Sequence, residues 1–342
     1  MDEAGRQVAD WVADDFGVDL TTVERVDLGA DESAELWRGV ADDGSRWAVK
    51  LSGGGTPAGL VASAYLAGRG VPGIAAPLAT DDGVAWRIRG GRRLSVVPWV
   101  SDRRALDGGM EPAHWRAFGE VLAAVHATEV GDDLARLLPV EDHAHRPVAA
   151  AVRRTGQLVA GPAGAADEVA HDAAREWRDA ADLVAALLAE ADVLGAELRA
   201  RAVGPVVCHG DPHLGNLMLG AGGRVWLIDW DDAVLAPRER DLMFVTVGVL
   251  AFAPVTPVER AAFFAGYGPV DPDPVRLAYH LTVRALDDFS SWAAQALDPG
   301  YDDAERAFAL RIVRGLRCPV GLVTLAAAAL RDLGRLNPSA AG

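Results

Sequence analysis

The most informative part of the chain is VVCHGDPHLGNLML (206–219), followed closely by VWLIDWDD (225–232). Both segments contain short apolar runs that are typical of buried strands. Between these runs, Gly210, Pro212 and Gly215 interrupt any regular element. The pattern therefore predicts a polar loop held between short strands, a place where side chains that do chemistry are often found.

That loop carries Asp211 and Asn216, and Asp229 follows the apolar run at 225–228. A strand that ends in a carboxylate, beside a loop that ends in an asparagine, places two hard oxygen ligands near each other. Such ligands suit Mg²⁺, which takes its remaining ligands from water and phosphate. A nearby carboxylate can accept the proton of an attacking hydroxyl. The arrangement indicates magnesium-assisted phosphoryl transfer.

Lys50 is the one lysine among 33 basic residues, all the others being arginine. It ends the strand-like run Trp47–Lys50, where its compact ammonium can contact the α- and β-phosphates of a nucleotide. Upstream of it, the turn Leu28–Ser33 is positioned to fold over those phosphates. The sequence has no GxxxxGK[ST] segment, which excludes a P-loop enzyme.

The coarse pattern divides the chain near residue 98. Residues 1–98 predict a mostly antiparallel sheet with one inserted helix at 57–69. After Trp99 the hydrophobic periodicity becomes helical, and Val97–Asp102 is a candidate hinge. Within the first part, Asp42-Asp43-Gly44 predicts a hairpin turn, and further short strands are expected at 75–78, 84–88 and 94–98.

The composition describes an ordinary soluble protein, with 342 residues and 50% apolar residues. A net charge of −16 argues against nucleic acid or an anionic membrane surface as partner. The same charge is compatible with a cationic small molecule, and equally with solubility alone. Two cysteines suggest no disulfide framework and no cysteine-based metal site.

Nothing at the N-terminus resembles a secretory signal, since the first residues are acidic and broken by charges. The longest uncharged stretches, 242–258 and 318–330, are short for membrane spans and predict buried helices. We therefore expect a cytoplasmic protein.

The pattern His209-Gly210-Asp211-x-His213-x-x-Asn216, followed by Ile228-Asp229-Trp230-Asp231, resembles the aminoglycoside phosphotransferase and choline kinase superfamily. The run APRERDLMF at 236–244 is similar to the branch that contains spectinomycin-type phosphotransferases. The resemblance implies an α+β, bilobal protein-kinase-like fold. Its small N-lobe would hold the antiparallel sheet (1–98), and its larger, mostly helical C-lobe would hold the rest (99–342).

Residue roles follow from the same resemblance, with a catalytic loop at 209–216 and a metal motif at 228–231. It implies Asp211 as catalytic base, Asn216 and Asp229 as Mg²⁺ ligands and Lys50 as the phosphate-binding lysine. ATP or GTP would be the phosphate donor. The further candidates are nucleotide contacts at Ser33, Val97, Trp99 and Ile228, and acceptor contacts at Asp231, His213, Asp287 and Asp288.

The chain departs from the family pattern at one point. The family pairs its strand lysine with a glutamate on the following helix, but residues 57–69 contain no acidic residue. We expect Lys50 to be oriented by another carboxylate, with Glu32 and Glu35 as candidates, or by the bound phosphates alone.

Several functions are compatible with these motifs. The first is phosphorylation of a hydroxyl on an aminoglycoside-like or other natural-product antibiotic, for resistance or self-protection. The second is a metabolic kinase of the choline, homoserine or sugar-derivative type. A metal-dependent hydrolase would use His209, Asp211, His213 and Asp229 as ligands. A nucleotide-binding pseudokinase is the remaining alternative.

Overall fold

The structure is a computed structural model that describes residues 1–26, 34–201 and 203–337. The predicted phosphate-covering turn at 28–33 lies outside the described residues. The strands are β1 (Leu20–Val26), β2 (Ala34–Ala41), β3 (Arg46–Ser52), β4 (Arg87–Arg89), β5 (Arg92–Pro98), β6 (Val206–Cys208), β7 (Leu217–Leu219), β8 (Val225–Leu227) and β9 (Val234–Ala236).

The α-helices are likewise numbered in the order of the chain. They are α1 (Glu3–Phe16), α2 (Ala58–Gly68), α3 (Pro112–Ala127), α4 (Asp132–Leu137), α5 (Arg146–Ala160), α6 (Glu168–Asp179), α7 (Ala181–Ala200), α8 (Glu239–Thr246), α9 (Pro257–Tyr267), α10 (Pro274–Leu297), α11 (Asp303–Arg317) and α12 (Leu322–Asp332).

The chain forms two compact units. The first unit comprises Met1–Val140, Val206–Ala236 and Val258–Pro269, and the second comprises Glu141–Pro205, Pro237–Pro257 and the chain from Val270 onward. All the strands named above belong to the first unit, whereas the second is built from helices.

A five-stranded antiparallel sheet, in the order β1-β2-β3-β5-β4, forms the N-terminal part of the first unit. The hairpin between β2 and β3 turns at Asp42–Gly44, where the backbone N–H of Ser45 donates to the Asp43 carboxylate. Helix α1 covers the sheet with the side chains of Val8 and Val12, which join the buried core of the strands. Lys50 lies on β3, the central strand, opposite Leu36 of β2 and Ser95 of β5.

Two short strand pairs carry the polar loop predicted from the sequence. β6 pairs with β9, and β7 pairs with β8, both antiparallel. An isolated parallel bridge from Ile74 to Leu227 ties β8 to the segment that precedes β4. The loop between β6 and β7 and the turn after β8 are therefore held side by side.

Helix α2 lies against the turn that follows β8. At Gly59 the helix backbone is so close that a Cβ atom would lie 2.2 Å from the carbonyl oxygen of Trp230 and 2.9 Å from the nitrogen of Asp231. Backbone atoms cannot move aside as a flexible side chain can, so only glycine fits here. The same helix ends at Gly68, where an added Cβ would meet nothing within 4 Å.

The core of the second unit is an apolar cluster centred on α10. Trp177 of α6 stacks on Phe289 of α10, with ring centroids 5.3 Å apart. Leu187 and Leu194 of α7 and Val313 of α11 are fully buried in the same cluster. The stretch Asp303–Asp332 has the length and composition of a membrane-crossing helix, a test that core helices of soluble proteins also pass. Because it is divided into α11 and α12, and both contribute side chains to this core, the core-helix interpretation fits it better.

Buried histidines gather beside this core. His143, His145 and His280 are at most 8% exposed, and their rings surround Tyr279 at centroid distances of 5.2 to 6.1 Å. Burial lowers the pKa of all three histidines, and nearby Arg240 lowers the pKa of His280 further. These rings are held neutral inside the folded unit.

The predicted α+β architecture, with an N-terminal antiparallel sheet and a mainly helical remainder, is confirmed. The lobe boundary at 98/99 stays a prediction. The strand expected at 75–78 is absent, because Pro77 has no N–H to donate and only Leu78 reaches the sheet, through Val96. The strand expected at 84–88 begins only at Arg87, because Thr80 takes up the carbonyl of Val84 in a tight turn.

We expect Gly59→Ala to lower the free energy of unfolding by about 1–3 kcal/mol, because the new methyl overlaps backbone that cannot yield cheaply. Gly68→Ala, on the same helix, is the matched control. It should leave stability unchanged or raise it by up to about 1 kcal/mol. Urea unfolding of both variants measures the difference, and equal behaviour would contradict the close contact at Trp230.

Stability should also fall as the pH decreases below about 6.5. The three histidines bind protons less readily in the folded chain than in the unfolded chain, whose reference pKa is 6.5. The unfolded state therefore binds more protons below that pH, whereas above it the stability is fully retained. Each histidine contributes at most about 1.4 kcal/mol per pH unit.

The measurement is the melting temperature at pH 7.5 and pH 5.5, an interval above the titration range of most carboxylates. The decrease in melting temperature should be smaller in His280→Phe than in the wild type. The exposed His171, changed to Gln, is the control and should keep the wild-type decrease. An unchanged decrease in His280→Phe would show that this cluster does not govern the acid sensitivity.

Candidate active site

The second residue of the loop between β6 and β7, Gly210, has a backbone position that requires glycine. Gly210 has φ of +90°, and a Cβ atom there would lie 2.2 Å from the carbonyl oxygen of Asp232. The loop backbone therefore passes in direct contact with the turn after β8. This contact brings Asp211, the next residue, next to the segment that carries Asp229 and Asp231.

His209 links the loop to the same turn through hydrogen bonds of its side chain. Its ring is fully buried, and its Nδ1 accepts the N–H of Asp211 at 3.2 Å. Because Nδ1 is an acceptor, the ring proton lies on Nε2, which donates to the carbonyl of Ile228 at 2.9 Å. The edge of Trp230 packs on the ring, with centroids 4.6 Å apart. Both ring nitrogens thus bond to backbone.

Hydrogen bonds also fix the rest of the loop. The carbonyl of Asp211 accepts the N–H of His213 and the side-chain amide of Asn216, both at 2.9 Å. The N–H of Gly215 donates to Nδ1 of His213 at 2.9 Å, and Nε2 of His213 lies 3.4 Å from a carboxylate oxygen of Asp211. Asp211, His213 and Asn216 are each partly exposed at the surface of the first unit.

Lys50 joins the sheet to the turn after β8. Its Nζ lies 3.0 Å from Oδ1 of Asp229 and 2.8 Å from Oδ2 of Asp231. Although partial burial alone would lower the pKa of Lys50, the two carboxylates outweigh that effect and raise the pKa above its usual value. The lysine is therefore held cationic.

Asp229 adopts an unusual backbone conformation, with φ of 61°. This left-handed region is uncommon for residues other than glycine, although aspartate tolerates it better than most. The positive φ turns the chain sharply after β8, so that Asp229 and Asp231 reach the same ammonium. Strain of this kind is found most often at functional sites.

The chain has no helix glutamate at the position that the family resemblance requires, and Glu32 and Glu35 are the two carboxylates that the sequence suggests in its place to orient Lys50. Glu35 forms an ion pair with Arg92 at 2.8 Å. The hydrogen bond that Arg92 donates to the Glu35 carboxylate is the main reason that the pKa of Glu35 is lowered. Glu32 lies outside the described residues. Among the residues that the structure describes, Lys50 forms its ion pairs with the two carboxylates of the Asp229–Asp231 turn.

The remaining nucleotide candidates are placed as follows. Val97 lies on β5 opposite Ala48, and the Nε1–H of Trp99 donates to Asp102 at 2.7 Å. The N–H of Ile228 donates to the carbonyl of Asn216 at 3.0 Å, which ties the residue before Asp229 to the loop. Ser33 lies outside the part of the chain that the structure describes.

Asp287 and Asp288 lie on α10, within the second unit. Asp288 forms an ion pair with Arg284 at 2.7 Å, one helical turn away. Desolvation raises the pKa of Asp287, although its side chain keeps a solvent-exposed surface.

A divalent cation fits the donor set of the first unit. The Asn216 amide nitrogen donates to backbone, which leaves its carbonyl oxygen as the ligand atom. Asp229 is 47% exposed and supplies a carboxylate. Hard oxygen donors of this kind are the ligands that Mg²⁺ takes. A four-ligand site that used His209 fits poorly, because both nitrogens of that ring bond to backbone.

Sequence reasoning missed two residues that shape this site. It gave Asp231 no role toward Lys50, and it did not single out Gly59. A glycine inside an otherwise apolar helix is a usable indication of close packing. The ion pair between Lys50 and Asp231 spans 181 positions in sequence, so no local pattern indicates it.

Comparison with known proteins gives a family match over most of the chain. The model of a family described as "Phosphotransferase enzyme family" matches residues 24–280. No curated protein sequence matches.

Solved structures share the fold. Spectinomycin phosphotransferase APH(9)-Ia, with ADP and spectinomycin, has a TM-score of 0.81 at 22% identity, over 97% of this chain and 99% of that chain. Amicoumacin kinase hAmiN, with AMP-PNP and Ca²⁺, has a TM-score of 0.61 at 16% identity, over 94% and 95% of the two chains. A choline/ethanolamine kinase family protein from Mesorhizobium loti has a TM-score of 0.52 at 16% identity, over 91% and 92%.

At these identities the solved structures establish the fold, which is the predicted bilobal protein-kinase-like fold. The family model covers residues 24–280, about three quarters of the chain, and so includes the loop from His209 to Asn216 and the turn from Ile228 to Asp231. This chain therefore belongs to the phosphotransferase enzyme family.

Proposed function

We propose that this phosphotransferase moves the γ-phosphoryl group of ATP or GTP to a hydroxyl of a natural-product antibiotic of the aminoglycoside or aminocyclitol kind. One observation carries the proposal. Within one compact unit, the loop with Asp211 and Asn216 contacts the turn whose Asp229 binds Lys50. A candidate base, two oxygen ligands and a fixed cation are thus assembled, which are the parts that phosphoryl transfer requires.

Asp211 is the proposed base. Its carboxylate accepts the proton of the acceptor hydroxyl as the hydroxyl oxygen forms a bond to the γ-phosphorus. The bond from that phosphorus to the β–γ bridging oxygen breaks, and the nucleoside diphosphate leaves with the bonding electrons. Asp211 later releases the proton to solvent. The backbone N–H of Asp211 donates to His209 and its carbonyl accepts from Asn216, and these two hydrogen bonds hold the base in the loop.

Asn216 and Asp229 are the proposed ligands of Mg²⁺. When bound, the ion neutralises negative charge on the β- and γ-phosphates. The chain contributes the geometry: the N–H of Ile228 bonds to the carbonyl of Asn216, so the two ligand-bearing segments are in contact. The positive φ of Asp229 presents its carboxylate at the end of β8.

Lys50 is the proposed phosphate-binding lysine. Its raised pKa keeps the ammonium charged at physiological pH. Asp231 is 43% exposed and lies 2.8 Å from Nζ, and we assign it the orienting role that a helix glutamate has in relatives. Ser33, Val97, Trp99 and Ile228 remain proposed contacts of the nucleotide.

The acceptor class is supported by the structural neighbours and by charge. The neighbours include proteins solved with spectinomycin and with kanamycin, both amine-bearing antibiotics. The net charge of −16 favours a cationic acceptor. Asp287 and Asp288 are proposed to contact it. A metabolic hydroxyl acceptor of the choline type is the second candidate, which the choline/ethanolamine kinase neighbour favours. We place the protein in the cytoplasm, where ATP and GTP are available.

The function is tested by incubating the protein with Mg²⁺ and γ-labelled ATP or GTP in the presence of single acceptors. The panel comprises aminocyclitol and aminoglycoside antibiotics, a macrolide, choline and homoserine. We expect label on one amine-bearing antibiotic, with kcat/KM decreasing as the salt concentration rises, since exposed charges are screened over about 8 Å at physiological ionic strength. Nucleotide binding without transfer to any acceptor would favour the pseudokinase alternative.

The control for this assay is Asp211→Asn, which keeps the shape of the side chain and removes its basicity. It should lower kcat by about 10²- to 10⁴-fold while leaving nucleotide affinity nearly unchanged, since base catalysis acts in the transition state. Activity within a few-fold of wild type would exclude Asp211 as the base.

Lys50→Arg tests the phosphate-binding role, because it preserves charge and changes shape. We expect nucleotide affinity to fall about 10-fold or more, the loss of one charge-assisted hydrogen bond. Asp231→Asn should weaken binding in the same direction. Asp42→Asn, which removes an equal charge from the exposed β2–β3 turn, should have no effect.

Isothermal calorimetry with MgATP and MgGTP measures all three variants, and circular dichroism checks that the lysine-free protein is folded. Wild-type affinity and turnover in a folded Lys50→Arg protein would show that the lysine has no special role.

A further inference from the structure

The two carboxylates that share the Lys50 ammonium are separated by one buried residue, Trp230. Its side chain is 6% exposed, and its Nε1–H donates to the carbonyl of Leu227 at 3.0 Å. Asp229 and Asp231, on either side of it, are both exposed. Each accepts a hydrogen bond from Nζ of Lys50, at 3.0 and 2.8 Å. Because the indole anchors the turn, both carboxylates are held on one nitrogen atom.

The two carboxylates differ in what lies beside them. The N–H of Ile228, the residue before Asp229, donates to the carbonyl of Asn216 at 3.0 Å. Asp229 therefore adjoins the segment that carries the other proposed Mg²⁺ ligand. The backbone nitrogen of Asp231 lies instead against α2, where a Cβ atom at Gly59 would be 2.9 Å from it. Asp229 is thus placed to serve the ammonium and the proposed metal site, and Asp231 is placed to serve the ammonium.

One carboxylate cannot serve two cations equally well. An ammonium bonded to Asp229 neutralises part of the charge that would attract Mg²⁺, and the two cations repel each other. If Lys50 left Asp229 with no other partner, it would lose a charge-assisted hydrogen bond while its side chain is only 26% exposed. A second carboxylate that is already bonded to the same ammonium avoids that loss.

We propose that Asp231 is a positioning residue for metal binding, which retains the ammonium of Lys50 when the carboxylate of Asp229 binds Mg²⁺. The inference rests on the proposed phosphotransferase function, and it assigns Asp231 to Lys50 rather than to the acceptor. It goes beyond orienting the lysine, because it makes Asp231 responsible for the extent to which Mg²⁺ strengthens nucleotide binding.

The coupling between Mg²⁺ and nucleotide measures this role. It is the ratio of the dissociation constant of ADP or GDP in EDTA to that in excess Mg²⁺, obtained by calorimetry with no acceptor present. By linkage, the same ratio describes how strongly the nucleotide favours Mg²⁺ binding.

In Asp231→Asn, the ammonium loses its ion pair with residue 231 and depends on Asp229, for which it competes with Mg²⁺. We expect the coupling ratio to fall about 10-fold or more, the equivalent of one charge-assisted hydrogen bond. The affinity in EDTA should stay within about threefold of wild type, since the exposed charge at 231 is screened by solvent. Asp42→Asn is the control for charge and should keep the wild-type ratio.

Lys50→Met removes the competing cation and separates this role from a direct bond between Asp231 and the metal. With no ammonium to retain, adding Asp231→Asn to Lys50→Met should change the ratio by less than about threefold. Lys50→Met alone should bind Mn²⁺ without nucleotide about 10-fold more tightly than wild type, because Asp229 and Asp231 lose their counter-ion. Electron paramagnetic resonance measures bound Mn²⁺, and circular dichroism checks that each variant is folded.

Three results would overturn the inference. The first is a wild-type coupling ratio in folded Asp231→Asn, which includes an equal loss of affinity with and without Mg²⁺. The second is a fall of the ratio on Asp231→Asn in both backgrounds, which would make Asp231 a metal ligand. The third is wild-type Mn²⁺ affinity in Lys50→Met, which decides the matter even if Asp231→Asn does not fold.

A failure of the proposed function is distinguishable from a failure of this inference. The wild type would then transfer no phosphate to any acceptor, whereas the coupling ratio is measured with no acceptor present. A wild type that binds neither ADP nor GDP would overturn both proposals.

Discussion

A single ammonium between two carboxylates connects the parts of this site. Nζ of Lys50 lies within 3.0 Å of both Asp229 and Asp231. Without a cation between them, two carboxylates that approach the same nitrogen atom would repel each other. Lys50 is itself fixed on the central strand of the sheet, opposite Leu36 and Ser95. The ion pairs therefore fix the position of the turn after β8 relative to the sheet. The loop between β6 and β7, which is bonded to that turn, is fixed relative to the sheet as well.

Close backbone packing completes what the ion pair begins. Gly59 of α2 and Gly210 of the loop both contact the backbone of the turn after β8. At each glycine the contact is too close for a Cβ atom. His209 adds a buried bridge between loop and turn through both ring nitrogens. This close packing is accompanied by backbone strain, because Asp229 has a positive φ. Backbone atoms in close contact can move less than long side chains can. The carboxylates of Asp229 and Asp211 are therefore positioned more rigidly than contacts between long side chains alone would allow.

The sequence predicted the parts of the site that depend on short-range patterns. The loop from His209 to Asn216, the short strand that precedes Asp229 and the Asp-Asp-Gly hairpin are each determined within a few residues. The partner of Lys50 was not predictable, because the expected glutamate is absent and the actual partners lie about 180 positions away. The pairing of β6 with β9 was also missed, because no strand was expected at Val234–Ala236. At residues 75–78 a strand-like composition is overruled by Pro77, which cannot donate to a sheet.

The geometry at Lys50 also gives a physical reason for a compositional fact. Of the 33 lysine and arginine residues in the chain, 32 are arginine and Lys50 is the one lysine. An arginine spreads its charge over a planar fork whose nitrogens diverge, which suits one carboxylate approached edge-on. Asp229 and Asp231 instead converge on one nitrogen atom from two positions in the same turn. A compact, three-donor ammonium can bond to both carboxylates and still has a third N–H to offer a phosphate, which is a physical reason for a lysine rather than an arginine at this position.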